Sequence, residues 1–415
     1  TPLVRKDGEL VPVSYEEAAM LIAKKMQSAS VRFGNGAAAV SVSDKLTNEE
    51  IYAAKKYADT IAKAGIVFSF NYYKNGVKEV IGSDCSTCAN DEILSTNIIM
   101  LVGTDLMNDH ASFGVKVRQA AKRGAKLIVI NDKPESQEAQ EADLYINSDS
   151  TESLKAILKA LIEKGAKASG IENISASLTD ITVTEEAEKA ASMLLDSKNK
   201  KAVIITDQFN TTFEAAKAAA DIAVLSGHIG SPRNGIIQIK SNVNSQGLAD
   251  LGITPICLVR DKLESGEIKA MFIIGEDPDS FERKDLEFLA VADIYLTETA
   301  RKADVVLPLV SLVESSGTVI SMDGKINTVN PAVKPLAKTN TEAIAAVANA
   351  MKVNFTYSDE KDIMREIIET GAFAQTSITP ELKPVETAPL YKDRINTNVC
   401  YKSFENFMES EGLVK

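Results

Sequence analysis

The chain has no tryptophan, two histidines, four cysteines and ten arginines among 415 residues. Each shortage closes off a class of function. With only His110 and His228, a histidine-rich metal centre is excluded. Four cysteines over this length make no disulfide framework. Positive charge is carried mostly by lysine, whereas arginine is the residue suited to bidentate phosphate clamps, so a large dinucleotide site has few such clamps here. The net charge is −12, from 58 acidic and 46 basic residues, which argues against nucleic-acid binding through a broad basic face. No apolar run approaches the ~18 residues needed to cross a bilayer, so no direct membrane insertion is expected. A nucleophile elbow of the Gly-x-Ser-x-Gly type and a P-loop are both missing, which sets aside α/β-hydrolases and P-loop ATPases.

What remains is an ordinary globular composition, 45% hydrophobic and 25% charged, long enough for two or three domains. Residues 1–13 alternate around a Lys6-Asp7-Gly8 turn and predict a small hairpin. Ser14-Tyr15-Glu16-Glu17 and Thr47-Asn48-Glu49-Glu50 are capping-box patterns that open helices, and Gly65 suits the end of the second. Apolar runs at 37–42, 98–102, 125–130, 202–205, 236–239, 271–274, 293–296 and 305–307 predict short strands. Helical patterns fall between them, at 113–123, 154–162 and 213–225. Strands too apolar to alternate faces, separated by helices, predict parallel sheets covered on both sides. Residues 376–394, rich in Pro and Thr, predict a segment wrapping the surface.

Two loops share one design. Val102-Gly103-Thr104-Asp105 and Ile274-Gly275-Glu276-Asp277 each run from a strand into Gly, a polar residue and Asp. Open α/β sheets bind ligands beyond the carboxyl ends of their strands, and Gly there admits close approach of a phosphate. Every βα connection also favours a small residue, so both readings stand. Asn242, Asn244, Ser245, Gln246 and Gly247 form a polar loop suited either to a base or to buried backbone. Cys85-Ser86-Thr87-Cys88 is a Cys-x-x-Cys, half of a metal site or two incidental thiols; Cys257 and Cys400 are isolated. His110 follows the Gly103 loop, and His228 suits a helix C-cap.

Several segments together resemble the molybdopterin oxidoreductase family. They are Thr1–Arg5 with Val11–Ala18, Gly227–Gly235 with Asn244–Gly247, Glu298–Ala300, Ala303–Pro308, and Glu314 with Gly317-Thr318. The resemblance runs collinearly over residues 1–350, and its flavour is that of the large iron–sulfur subunit of NADH dehydrogenases (the subunit-G type) and of formate dehydrogenases. It implies an α/β fold of two Rossmann-like, doubly wound parallel-sheet domains, one inserted in the other. The implied layout is 1–32 as the remnant of a cluster-bearing domain, 33–68 plus 228–350 as a first domain, 69–227 as the insert, and 351–415 as a C-terminal helix and wrapping tail. The start at Thr1 looks like the stretch just after the family's iron–sulfur segment, so iron–sulfur clusters are expected on a part preceding Thr1.

Active members of the family hold molybdenum or tungsten between two pterin guanine dinucleotides. The resemblance places Tyr72-Tyr73 where a metal-ligating Cys and a His would stand. A neutral phenol is a poor substitute for a thiolate. It also places Gly103, Thr104, Asp105, Asn131, Gly275, Asp277, Asn244, Gln246 and Gly247 at a vestigial dinucleotide site. Asp105, Asp149 and Asp277 would then face diphosphates, at a cost on the order of 4 kcal/mol per like-charged pair at 4 Å and an effective dielectric near 20. The expectation is therefore a domain with no molybdenum cofactor of its own. It would scaffold an electron-transfer complex as part of an NADH dehydrogenase iron–sulfur subunit, cytoplasmic or peripheral at the membrane's inner face through partner subunits. Two alternatives are kept: an active formate-dehydrogenase type with molybdopterin guanine dinucleotide and Mo or W, and a pure assembly domain.

Overall fold

The computed structural model describes residues 1–196, 201–278, 281–283, 285–351, 355–373 and 377–392. The isolated Cys400 and the end of the wrapping tail lie outside them. Fifteen strands are present among the described residues: β1 (Leu3–Lys6), β2 (Glu9–Pro12), β3 (Ala38–Val42), β4 (Ile66–Ser69), β5 (Ile98–Val102), β6 (Lys126–Asn131), β7 (Leu144–Asn147), β8 (Ala202–Asp207), β9 (Gly235–Ile239), β10 (Thr254–Pro255), β11 (Ala270–Ile274), β12 (Phe288–Asp293), β13 (Val305–Pro308), β14 (Gly317–Ile320) and β15 (Ile326–Val329).

They form two principal sheets. The larger has the order β10-β4-β3-β11-β12-β13-β1-β2, parallel from β10 through β13 and antiparallel at the β1–β2 edge. The smaller is parallel throughout, in the order β7-β6-β5-β8-β9. All five strands of the smaller sheet fall in sequence between β4 and β10 of the larger one. An antiparallel hairpin, β14–β15, stands apart. Both faces of both sheets are covered by apolar cores, as the unbroken apolar runs require.

Four details differ from the sequence expectations. Residues 1–32 are not set apart: β1 pairs with β13, and the helix Tyr15–Phe33 packs into the core of the larger sheet. Residues 235–239 pair with β8 and so lie in the smaller sheet. The strand expected at 293–296 ends at Asp293, and Ile294, Tyr295 and Leu296 are exposed on a rim past the carboxyl end of β12. At Ser14 only half a capping box forms: its hydroxyl accepts from the Glu17 amide at 3.1 Å, while the Glu17 carboxylate pairs with Lys6 at 2.8 Å. At Thr47 the box is complete, because Glu50 is buried and accepts from the Thr47 amide at 2.9 Å.

The wrapping segment takes a definite path. Helices Asn340–Asn349 and Glu360–Thr370 pack on the larger sheet's core. Further along, Leu382, Val385 and Leu390 are buried in the core of the smaller sheet. The chain thus ends its described course on the inserted sheet.

Phe272 lies at the centre of the larger sheet, fully buried, with its ring edge-on to Tyr57 at 6.3 Å between centroids. The Tyr57 hydroxyl is buried and has no hydrogen-bond partner among the described residues. Phe272→Ala should cost about 3–5 kcal/mol in chemical denaturation, from lost burial and the cavity left behind. Tyr57→Phe should instead leave stability unchanged or raise it by roughly 1 kcal/mol, because it removes an unsatisfied buried group.

Candidate functional site: an open cleft and a closed one

In the larger sheet β3 is followed by β4 on one side, whereas β11 is followed by β12 on the other. Chains leaving β3 and β11 therefore part, and a crevice opens at their carboxyl ends. A cleft of about 660 Å³ stands there. It is lined by Ser43 and Lys45 after β3, Asn71 after β4, Gly275–Pro278 after β11, Asp293–Tyr295 at the end of β12, and Leu309–Leu312 after β13. Gly275 has φ +73°, and a Cβ there would lie 3.1 Å from the Cβ of Ser43, so the turn needs glycine on two counts.

The acids of this cleft are less charged than their number suggests. Glu276 is buried and accepts from Ser41, from Ser69 Oγ at 2.6 Å and from the Phe70 amide at 3.2 Å. Burial pushes its carboxyl up to about 7 against those donors. Asp293 rises to about 6, through burial opposed by backbone donors and reinforced by Asp277. Asp44, behind the cleft wall, is raised by burial although Ser245 donates to it at 2.6 Å and Asn242 at 2.9 Å. Asp277 accepts from the Thr299 amide at 3.1 Å.

The residues implied for a dinucleotide site divide between this cleft and two other places. Gly275 and Asp277 line the cleft. Asn244, Gln246 and Gly247 sit beside it in a buried knot. Asn244 donates to Leu46 O at 2.8 Å and Asn48 Oδ1 at 3.1 Å and accepts from the Ile320 amide at 2.9 Å. Gln246 donates to Asp250 at 2.8 Å, and Gly247 packs directly on Asn48. From this polar loop the cleft is reached instead by Asn242 and Val243.

Gly103, Thr104, Asp105 and Asn131 stand at the carboxyl end of the smaller sheet, where β5 and β8 part. Asn131 donates to Thr104 O at 3.2 Å and accepts from the Lys133 amide at 3.0 Å. Asp105 accepts from Asn108 at 2.8 Å and lies 3.4 Å from the Lys133 ammonium. Beside them His110 Nε2 meets the buried Asp207 carboxylate at 2.9 Å. Burial works against protonation of that imidazole, but the Asp207 hydrogen bond and charge prevail and raise it. Asp149 is exposed, and its carbonyl accepts from the Leu390 amide. Of the three aspartates expected to face diphosphates, Asp277 alone lines the open cleft.

Tyr72 and Tyr73 occupy the space between the sheets. The Tyr72 hydroxyl donates to Asp84 Oδ2 at 2.6 Å, and the Asp84 Oδ1 atom accepts from Lys240 Nζ at 2.8 Å. Burial, with Asp84 alongside, pushes the Tyr72 phenol far above its ordinary value of 10. Such a phenol is held neutral and already engaged, which does not suit a metal ligand. Tyr73 is half-buried, with the Lys392 ammonium 4.5 Å from its ring centroid. Burial pushes both Cys85 and Cys88 up to about 12, so neither thiol is poised as a thiolate. Among the described residues no group of three or more His, Cys, Asp or Glu side chains could hold a metal ion. His228 is buried, and its amide donates to Ala223 O at 2.8 Å, so it stands two residues past the Ser226 cap of the helix Phe213–Leu225 and not at the cap itself.

The family model for molybdopterin oxidoreductases matches residues 1–350. The chain belongs to that family. It is 28% identical over 403 residues to the alpha subunit of F420-dependent formate dehydrogenase 1 from Methanococcus maripaludis, covering 80% of this chain and 59% of that protein. It is 25% identical over 445 residues to formate dehydrogenase H from Escherichia coli, covering 88% of this chain and 62% of that one. The chain therefore spans about three fifths of the length of these two relatives. The structure of acetylene hydratase from Pelobacter acetylenicus superposes with a TM-score of 0.68 at 18% identity, covering 92% of this chain and 66% of that one. That likeness shows the fold. The relatives point to formate dehydrogenases, and the expected assignment to an NADH dehydrogenase subunit finds no support among them. The family also carries a molybdopterin cofactor, so the expectation of none rests only on this chain's own residues. No helix among the described residues is long and apolar enough to cross a membrane.

Glu276, Asp293, Ser43 and Asn71 line the cleft and were not singled out in the sequence. Glu276 stands inside the Gly275 loop, yet only depth in the fold distinguishes it from a solvated acid. Its folded-state value near 7 lies above the ordinary 4.5. The folded state thus holds the proton more tightly, and the stabilisation is present below pH 4.5 and lost as pH rises through 7. Glu276→Gln should abolish its share of that loss. Relative to wild type, the variant should gain stability from pH 4.5 to 7, on the order of 3 kcal/mol in all, read as urea midpoints at each pH.

Proposed function

We propose that this chain is the nucleotide-holding part of a formate-dehydrogenase-like molybdopterin oxidoreductase, and that the larger-sheet cleft receives the nucleotide end of the cofactor. One observation carries the reading: an open cleft of about 660 Å³ at the sheet's switch point, floored by the left-handed Gly275 turn. When bound, the pterin and its metal would supply the redox chemistry. The chain's own residues do the holding. Gly275 lets the backbone approach a phosphate, Ser43 and Thr297 offer hydroxyls, and Lys45 is the basic side chain in the lining. Glu276 and Asp293, raised by burial, oppose an anion less than two full charges would. The apolar wall of Leu309, Val310 and Leu312 keeps water from the inner end.

A second reading has its own observation. The hydroxyl of Tyr72 is bonded to Asp84 where the resemblance puts the metal ligand, which favours a scaffold role without molybdenum chemistry.

Purified protein from a host able to make the cofactor separates the two. Pterin fluorescence after acid oxidation should give close to one equivalent per chain, measured alongside molybdenum and tungsten by mass spectrometry. Gly275→Val should lower the pterin content at least tenfold without unfolding the protein. No pterin in the wild type would overturn the first reading and leave the scaffold.

A further inference from the structure

The smaller sheet has a switch point of its own, between β5 and β8, and it is not open. The chain's segment 386–392 lies across it. The Thr151 amide donates to Ala388 O at 2.8 Å, and the Leu390 amide to Asp149 O at 2.7 Å. The Thr212 amide donates to Leu390 O at 3.0 Å, and the Lys392 amide to Asn210 O at 2.8 Å. Thr212 Oγ1 adds a bond to Pro389 O at 2.7 Å. The segment is therefore stitched to loops after β7 and β8 at once. Its Leu390 side chain is fully buried in the sheet's core, and Tyr391 packs against the same core.

Gly103 shows what this segment displaces. It has φ +57°, and a Cβ there would lie 3.2 Å from the Leu390 carbonyl oxygen. Glycine at the end of such a strand admits a close approach of backbone or phosphate. Here the approach is made by the protein's own carbonyl. Lys392 then crosses to the other side, donating to Gln208 O and standing over the Tyr73 ring. Its surroundings include the Asp207 carboxylate, and the Lys133 ammonium of the Asp105–Lys133 pair stands 5.0 Å from the ring centroid of the neighbouring Tyr391.

We infer that residues 386–392 are a built-in stopper that fills the ligand end of the smaller sheet, so the folded chain takes one nucleotide-type ligand and not two. The inference rests on the reading that such sheet ends are nucleotide sites, and two measurements keep the two claims apart. The first needs no ligand. Hydrogen exchange of the whole protein, followed by mass spectrometry, should show peptides spanning 386–392 protected at least about tenfold over an unstructured chain. Fast exchange there, with β5 and β8 still protected, overturns the stopper. The second is calorimetric titration with guanosine 5′-diphosphate as the probe. Wild type should bind one equivalent. Leu390→Ser, in which exchange shows 386–392 released, should bind two. Two equivalents on the wild type overturn the stopper, and so does one equivalent on the released variant. Binding to neither protein contradicts the proposed nucleotide site, and exchange alone then decides the stopper.

Discussion

A buried ion pair orders the space between the two sheets. Lys240 follows β9 of the smaller sheet, and Asp84 lies in the loop after the helix Gly76–Ile81, which packs in the smaller sheet's core. Tyr72 of the larger sheet's core reaches Asp84 from the other side. The Lys240 and Asp84 side chains are 4% and 2% exposed and meet at 2.8 Å. Charges so deep are tolerated only when every remaining donor and acceptor is satisfied. Here Tyr72 and Asn75 donate to Asp84, and Lys240 also donates to Gln238 at 3.0 Å and to the Asp84 carbonyl at 2.8 Å. Burial alone would raise the Asp84 carboxyl, but the Lys240 charge and these donors hold it below the usual range. The same loop carries Ser86 and Thr87 onto β9, through the Ser86 hydroxyl accepting from the Gln238 amide at 3.0 Å and the Thr87 amide donating to Ile236 at 2.9 Å. The same loop thus joins β9 to Tyr72 of the larger sheet's core across one buried pair of charges.

That arrangement makes the two sheet ends unequal. The larger sheet keeps its crevice open, with acids that burial renders partly neutral near pH 7. The smaller sheet's end is closed by residues 386–392. The position between them is held by Tyr72 in a neutral, hydrogen-bonded form. One sheet end thus carries an open cleft, and the other is covered by residues 386–392.

Much of the scaffold was legible in the sequence because buried parallel strands are apolar throughout, and β3, β5, β6, β8, β9, β11 and β13 all announced themselves. The edge strand β7, Leu144–Asn147, is only partly buried and has no such signature. Residues 294–296 read as strand because they are apolar, yet they form an exposed rim. The glycine loops at 103 and 275 were equally visible, but what approaches each one was not. That depends on a segment almost three hundred residues beyond Gly103. The charge argument against a diphosphate failed for a similar reason. Sequence counts Asp105, Asp149 and Asp277 alike, whereas the fold sends one to a lysine, one to solvent and one to the cleft. Glu276 was legible as a residue but not as a titrating one, since only burial moves its proton affinity.

The Lys240–Asp84 pair, with the Tyr72 hydroxyl on it, holds the space between the sheets. The direct measurement is a double-mutant cycle in urea with Lys240→Met, Asp84→Asn and the two combined. Lys240→Met alone strands a buried carboxylate and should cost about 3–5 kcal/mol, most of it recovered when Asp84→Asn is added. A cost under about 1 kcal/mol for Lys240→Met, or no recovery in the double variant, would show that the pair does not hold this space.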